Sequence, residues 1–87
     1  METNRIPNSL KFYRRRQGLK QTDVARVLGI RNASMISRWE KGISIPNTVN
    51  VFKLALIYRI TADALYADYC LSLKHAIRQR EDALNLS

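Results

Sequence analysis

Apolar residues recur along this chain at intervals of three and four, and glycines interrupt the pattern at helix-length spacing. The only glycines are Gly18, Gly29 and Gly42. Glycine readily adopts the left-handed conformation that ends a helix, so each is expected to close one. The first three predicted helices cover residues 8–17, 21–28 and 33–41. No segment shows the alternation of a strand, and we expect an all-α protein.

Two further helices are expected beyond these glycines. Pro46 and Asn47 are typical of a turn, after which Val51, Leu54, Ala55 and Tyr58 recur at helical spacing. Thr61 is suited to cap a fifth helix, and no proline or glycine interrupts residues 62–84. Residues 1–6 and 85–87 are expected to be frayed.

The positive charge of the chain is concentrated in its first half. The whole chain carries 15 Lys and Arg against 7 Asp and Glu, a formal charge of +8. Residues 1–42 contribute ten basic and three acidic side chains, whereas residues 43–87 contribute five and four. A surface that binds phosphate is therefore expected in the first half, the alternative being a solvated basic face that serves solubility.

Length and composition argue against an enzyme. The 87 residues suffice for one domain and leave no room for a large catalytic cleft. Cys70 is the only cysteine and His75 the only histidine, which are too few ligands for zinc. We find no nucleophile with a base and no glycine-rich phosphate loop, and so expect no catalytic residue, metal or cofactor.

The chain shows no signal-peptide pattern and no run of 18 apolar residues. We therefore expect a cytoplasmic protein that does not enter a membrane.

The second and third predicted helices form the most informative arrangement in the chain. Two short helices joined through a glycine-containing turn, the second with small polar and basic residues, are typical of a helix-turn-helix. Here the arrangement spans Gln21 to Lys41. Gly29 permits the sharp reversal, and the small side chain of Ala25 lets the two helices cross closely.

A longer stretch carries a more specific signal, namely LKFYRRRQGLKQTDVARVLGI, then ISRWEKG, then PNTVNVFKLALIYRITADAL. From about Ser9 to Tyr66 the chain resembles the lambda-repressor/Cro-type (XRE) helix-turn-helix family. The resemblance implies a five-helix lambda-repressor-like DNA-binding domain over residues 8–67, with residues 68–87 as an extended C-terminal helix. It also implies a sequence-specific transcription regulator whose third helix enters the major groove of double-stranded DNA.

Two departures from the family pattern stand out. The segment GIRNASMISRWE is one residue longer than usual, with the extra residue near Arg31, Asn32 or Ala33. Arg59 stands where the family usually has glycine after the fourth helix, so that turn is expected to be strained or formed differently.

The third helix carries the expected base contacts, which are Asn32, Ala33, Ser34, Ser37 and Arg38. Arg38 is the strongest of them, because arginine donates two hydrogen bonds to the edge of guanine. A surface charge or phosphate clamp is its alternative role, and Asn32 has helix capping as an equal alternative. Met35 is expected to pack partly, with contact to a thymine methyl as the alternative.

The resemblance also implies phosphate contacts and a structural frame. The expected phosphate contacts are Arg14, Lys20, Gln21, Thr22, Arg31 and Lys41. Trp39 is expected in the core because of its spacing from Ile36. Glu40 is expected to pair with Arg14 and so to orient that arginine toward phosphate.

The last helix has an apolar side formed by Tyr69, Leu73, Ile77 and Leu84. It either folds back over the first or fourth helix or meets a twofold mate. We favour a homodimer through this helix, which predicts a palindromic operator.

Three functions remain open at this point. The first is a repressor, and the second is an antitoxin that represses its own operon and binds a toxin through the tail. The third is an adaptor that binds protein only, against which the N-terminal charge and the polar third helix argue.

Overall fold

The computed structural model describes residues 4–86, and within them the chain is all-helical with no strand. The expected all-α class is confirmed. The helices are α1 (Leu10–Arg16), α2 (Gln21–Leu28), α3 (Ser34–Glu40), α4 (Thr48–Tyr58), α5 (Ala62–Leu65) and α6 (Ala67–Ala83).

Glycines end the first three helices, as expected from the sequence. Gly18, Gly29 and Gly42 have φ angles of 72°, 75° and 75°, values that side chains with a Cβ rarely adopt. At the start of α4, Asn47 Oδ1 accepts a hydrogen bond from Asn50 N at 2.8 Å. This side-chain cap satisfies one of the free amides at the helix start.

The hydrophobic core draws on α1 to α5 and the residue that follows. Its buried members are Leu10, Val24, Ala25, Leu28, Ile36, Trp39, Leu54, Ala55, Tyr58, Leu65 and Tyr66. Each short helix therefore buries one apolar stripe in the same hydrophobic core, which explains the apolar periodicity of its sequence.

The turn after α4 is made without glycine. Arg59 adopts the left-handed conformation, with φ 57° and ψ 46°. The amide of Ile60 donates to Ala55 O at 3.0 Å, and that of Arg59 donates to Leu56 O at 3.3 Å. This is the hydrogen-bonding pattern that usually follows a C-terminal glycine, here formed by a residue that meets a steric cost in it.

The expectation of one uninterrupted helix over residues 62–84 was wrong. The chain bends at Tyr66, whose φ of −130° and ψ of 38° separate α5 from α6. Leu65 and Tyr66 are both buried, whereas no residue of α6 is. Burial of these two neighbours in the core has overridden a continuous helical pattern, so the described chain has six helices rather than five.

The expectation of a frayed N-terminus was also wrong for residues 4–6, while residues 1–3 lie outside the described range. Ile6 N donates to Gly42 O at 2.9 Å, and Ile6 packs against the core. At the other end, Leu86 N donates to Glu81 O at 2.8 Å and closes a turn after α6.

α6 stands away from the core and gives the described chain an extent of 47 Å along its longest axis. Tyr69 is half-buried beside Tyr66, and the rest of the helix is exposed. The alternative in which the tail folds back over α1 or α4 is therefore not realised. The apolar side chains of α6 are left in solvent.

Candidate nucleic-acid interface

α3 has one buried face and one polar face. Ile36 and Trp39 are 1% and 3% exposed and anchor the helix in the core. The helical repeat turns Ser34, Ser37 and Arg38 to the opposite side. Trp39 is thus part of the core, and the side of α3 that faces solvent is polar and basic.

The residues expected to read bases lie together on or beside this polar side. Asn32, Ser34 and Arg38 are exposed, while Ala33 and Ser37 are half-buried. Asn32 Oδ1 accepts a hydrogen bond from Ser34 N at 2.9 Å and another from the Ser34 hydroxyl. Asn32 therefore binds a free amide at the start of α3, although Ala33 and not Asn32 is the N-cap residue of that helix.

Met35 lies between the two faces of α3 and is 42% exposed. Partial packing of this side chain leaves part of the thioether accessible at the edge of the polar face.

The residues expected to contact phosphate differ in their exposure. Lys20, Thr22, Arg31 and Lys41 are exposed, Gln21 is half-buried and Arg14 is buried. Lys20, Gln21 and Thr22 lie at the start of α2, where free backbone amides and the helix dipole favour anions. Arg31 is in the turn between α2 and α3, and Lys41 follows α3.

A buried ion pair connects α1 to the end of α3. Arg14 Nε donates to Glu40 Oε2 at 2.6 Å and Arg14 Nη2 donates to Glu40 Oε1 at 3.2 Å. The two side chains are 10% and 3% exposed. Arg14 Nη1 donates to Leu19 O at 2.8 Å, so all three guanidinium nitrogens have acceptors inside the protein. This geometry supports the structural role of Arg14 over an orientation toward phosphate.

Gln21 extends this pair to α2. Its Nε2 donates to Glu40 Oε1 at 2.9 Å, so one carboxylate accepts hydrogen bonds from α1 and α2 while it belongs to α3. Three helices are thereby joined at a single buried charge. We call Arg14, Gln21 and Glu40 the carboxylate network.

Tyr58 lies close enough to the carboxylate network for the charges of Glu40 and Arg14 to change the pKa of its phenol. Burial raises the pKa of the Tyr58 phenol well above its usual range, the Glu40 carboxylate raises it further, and the Arg14 guanidinium lowers it. Tyr58 is therefore neutral at any pH near 7. Among these neighbours, Arg14 alone carries the charge that balances Glu40.

The N-terminal segment holds the end of α3 in a way that sequence reasoning missed. Asn8 Nδ2 lies 3.2 Å from Trp39 O and 3.3 Å from Glu40 O, while Asn8 Oδ1 accepts from Leu10 N at 3.0 Å. Arg5 Nη1 donates to Lys41 O at 3.2 Å. No local sequence signal reports these contacts of Asn8, because its partners lie 31 and 32 positions away along the chain.

No helix within residues 4–86 combines the length and the apolar character needed to cross a bilayer. In the same range, no group of three or more His, Cys, Asp and Glu side chains is placed to hold a metal ion.

Comparison with known proteins agrees with this arrangement. Residues 10–65 match a family model described as Helix-turn-helix, and this range is more than half of the chain and covers α1 to α5. No curated protein and no solved structure matches the chain. The matched range includes α2, the turn at Gly29 and α3. The protein is a DNA-binding regulator and belongs to the lambda-repressor/Cro-type (XRE) helix-turn-helix family.

Proposed function

We propose that the protein is a repressor that binds a palindromic double-stranded operator as a homodimer, with α3 of each copy in the major groove. The observation that carries the proposal is the exposed polar side of α3, supported from behind by the carboxylate network. A rigid helix with short polar side chains at its start approaches base edges closely. Rigidity matters because each loosely held contact adds an entropic cost to binding.

Base reading is assigned to Asn32, Ala33, Ser34, Ser37 and Arg38. Arg38 is the principal reader, because it is exposed and lies about one turn of helix after Ser34, on the same polar side of α3. The Asn32 carbonyl oxygen is engaged with Ser34, which leaves its amide group as the donor for a base or a phosphate.

Phosphate contacts are assigned to Lys20, Gln21, Thr22, Arg31 and Lys41. All of them except Gln21 are exposed, and they flank the polar side of α3 along the chain. Such contacts fix the position of the protein on the duplex and make its affinity depend on salt, but they carry no sequence information. Arg14 serves in this proposal by positioning Glu40.

The homodimer is assigned to α6, whose exposed apolar residues include Leu73 and Ile77. A twofold axis through this helix would place two recognition helices on successive turns of the major groove, about 34 Å apart. Repression then needs only that the dimer occupies promoter DNA. Activation would need an additional surface that contacts polymerase.

Selection from a random pool tests this proposal. The purified protein is incubated with randomised duplexes of about 30 base pairs, and the bound fraction is sequenced. We expect an inverted repeat with half-sites one helical turn apart. An unenriched pool would contradict sequence-specific binding, and a single unrepeated half-site would contradict the dimer.

The selected operator, placed over the promoter of a reporter gene, then separates repression from activation. Expression of the wild-type chain is expected to lower the reporter signal. The Arg38→Ala variant is the matched control, since it is expected to fold normally and lose only its preference for the operator. A rise in signal with the wild-type chain would contradict repression.

The second candidate function is that of an antitoxin. It is favoured by the same exposed side of α6, which would then be covered by a toxin instead of by a second copy of this chain. The two functions predict different results for an Ile77→Glu variant. Residue 77 is 58% exposed and lies outside the core, so the variant is expected to fold. A homodimer through α6 predicts that this variant loses dimeric mass and operator affinity. An antitoxin predicts that both are unchanged.

A further inference from the structure

The exposed side chains of α6 follow a coiled-coil repeat. Spacings of three and four residues alternate along one side of the helix. The residues at these positions, which we call the α6 seam, are Cys70, Leu73, Ile77, Arg80 and Leu84. All five are exposed, and the three aliphatic members are 44%, 58% and 59% exposed in chain order. An isolated helix gains no stability from such a seam, because its apolar side chains are removed from water only when a partner helix packs against them.

We infer that the partner is a second copy of this chain and that the two α6 helices pack antiparallel. Leu73 lies opposite Ile77 of the second copy, and Lys74 lies on the same flank as Glu81 of the second copy. These two are about 7.5 Å apart along the helices, and their long side chains lean toward each other because each points toward the N-terminus of its own helix. The inference rests on the homodimer in the proposed function and specifies how that homodimer is built.

The charges beside the seam favour a second copy. Lys74 and Glu81 are both exposed and lie seven residues apart, which places them on the same flank of the seam. In an antiparallel pair, this flank of one helix lies along the same flank of the other. Lys74 of each copy therefore meets Glu81 of the other, and twofold symmetry makes the pair occur twice.

The register that aligns these charges also aligns the apolar residues. With Lys74 beside Glu81 of the second copy, Leu73 and Ile77 face each other twice across the middle of the seam. Arg80 then lies opposite Cys70 of the second copy. Cys70 is small and neutral, so the long arginine stem packs across it while the guanidinium reaches solvent.

A parallel pair is disfavoured by the same residues. It would place Arg80 of one copy directly against Arg80 of the other, and like charges in one layer repel. It would also bring the flank of Lys74 and Glu81 against the opposite flank of the second helix. That flank carries Tyr69, Ala76 and Ala83, which offer neither residue an opposite charge.

Cys70 can report whether the two α6 helices pack parallel or antiparallel. Cys70 is the only cysteine and is exposed. In the proposed register the two Cys70 residues are ten positions out of alignment, which separates them by about 15 Å along the helices. A disulfide requires Cα atoms within about 7 Å. The wild-type dimer is therefore expected to resist oxidative cross-linking.

An Arg80→Cys variant places a thiol opposite Cys70 of the second copy and is expected to form a covalent dimer on mild oxidation. Arg78→Cys is the matched control, because residue 78 lies outside the seam, and it is expected to stay uncross-linked. Peptide mapping should find Cys70 joined to position 80. Rapid cross-linking of wild-type Cys70 would overturn the antiparallel arrangement in favour of a parallel one.

Charge reversal tests the register. Lys74→Glu and Glu81→Lys are each expected to raise the dimer dissociation constant about 3- to 10-fold, because each creates two like-charge pairs. The double variant restores both pairs and is expected to return to within about twofold of wild type. Lys74→Glu with Asp82→Lys is the control for net charge, because it restores the net charge without restoring either pair, and it should show no recovery.

Sedimentation equilibrium of the wild-type chain separates the possible failures. A monomer at all concentrations, with or without operator DNA, would overturn the homodimer in the proposed function. A dimer that resists cross-linking in Arg80→Cys, or shows no recovery in the double charge reversal, would overturn only the antiparallel register. A dimer that meets both expectations supports the inference.

Discussion

Arg14 Nε lies 2.6 Å from Glu40 Oε2 at a site where both side chains are almost completely buried. The pair connects α1 to the last residue of α3. A buried carboxylate beside the proposed DNA-binding surface would repel phosphate if it stood alone. Paired with Arg14, it fixes the helix while its charge is balanced locally.

We expect Glu40→Ala to lower the free energy of unfolding by about 3 kcal/mol, because it leaves the Arg14 guanidinium buried without its partner. Urea denaturation at pH 7 measures this change. The variant should also bind operator more weakly under conditions in which it is folded, since Gln21 loses its acceptor as well.

Arg14→Leu and the double variant complete a cycle for the ion pair. The double variant is expected to be more stable than the sum of the single effects predicts, by at least about 1 kcal/mol, because it removes both charges together. Additive effects would show that the two side chains contribute independently, against the role assigned to the pair.

Arg38 and Lys41 should give different signatures in DNA binding. Arg38→Ala is expected to relax preference at one base position by about 1–3 kcal/mol, because it removes a base-edge contact. Lys41→Ala should weaken binding to all sequences alike and reduce the slope of affinity against salt by about one. Titration of the operator and its single-base variants at several salt concentrations distinguishes them. Equal weakening of every sequence by Arg38→Ala would contradict its role as a reader.

Gly42 should tolerate a side chain less well than Gly29. Both have a φ of 75°, so alanine costs about 1 kcal/mol at either position. At Gly42 the added Cβ would collide with the backbone oxygen of Ile6 and lie 2.8 Å from its nitrogen, whereas at Gly29 nothing lies within 4 Å. Urea denaturation should therefore show the larger loss for Gly42→Ala. Equal losses would mean that the N-terminal segment does not press against this turn.

Much of the fold follows from local rules. Gly18, Gly29 and Gly42 each end a helix, and the spacing of Ile36 and Trp39 on α3 identifies the tryptophan as a core residue. These predictions succeeded because each depends on residues within one or two turns of helix. The resemblance to a known family added the Arg14 and Glu40 partnership, which no local pattern contains.

The failures all involve contacts between distant parts of the chain. The helical pattern around Tyr66 does not predict a bend, because the bend results from the burial of Leu65 and Tyr66 in the core. The contacts of Asn8 with the end of α3 join residues 31 and 32 positions apart, which no local pattern reports. Local sequence also gave no sign that Arg14 would be buried among three acceptors.

Arg59 offers a route to a more stable protein. Its left-handed conformation costs a residue with a Cβ about 1 kcal/mol relative to glycine, so Arg59→Gly is expected to raise the free energy of unfolding by up to that amount. Arg59→Ala is the matched control, because it removes the exposed side chain and keeps the Cβ. A thermal melt of each should rank Gly above Ala and wild type. Equal gains in both would show that the side chain, not the backbone, is responsible.

Tyr66 should impose an alkaline limit on stability. Burial raises the pKa of its phenol from 10.0 to about 12, so the unfolded chain releases this proton at a lower pH than the folded one. The stabilisation is complete below pH 10 and is lost as the pH rises toward 12. The hydroxyl is buried without a hydrogen-bond partner, so Tyr66→Phe is expected to change stability at pH 7 by less than about 1 kcal/mol.

Urea denaturation of wild type and Tyr66→Phe at pH 8 and pH 11 checks this expectation. The other ionisable groups are the same in both proteins, so the comparison isolates Tyr66. Wild type should lose about 1 kcal/mol more than the variant between the two pH values, because only its unfolded state gains an ionised phenol at position 66. Parallel losses would mean that water reaches the phenol in the folded protein, and with it that the bend between α5 and α6 is open to solvent.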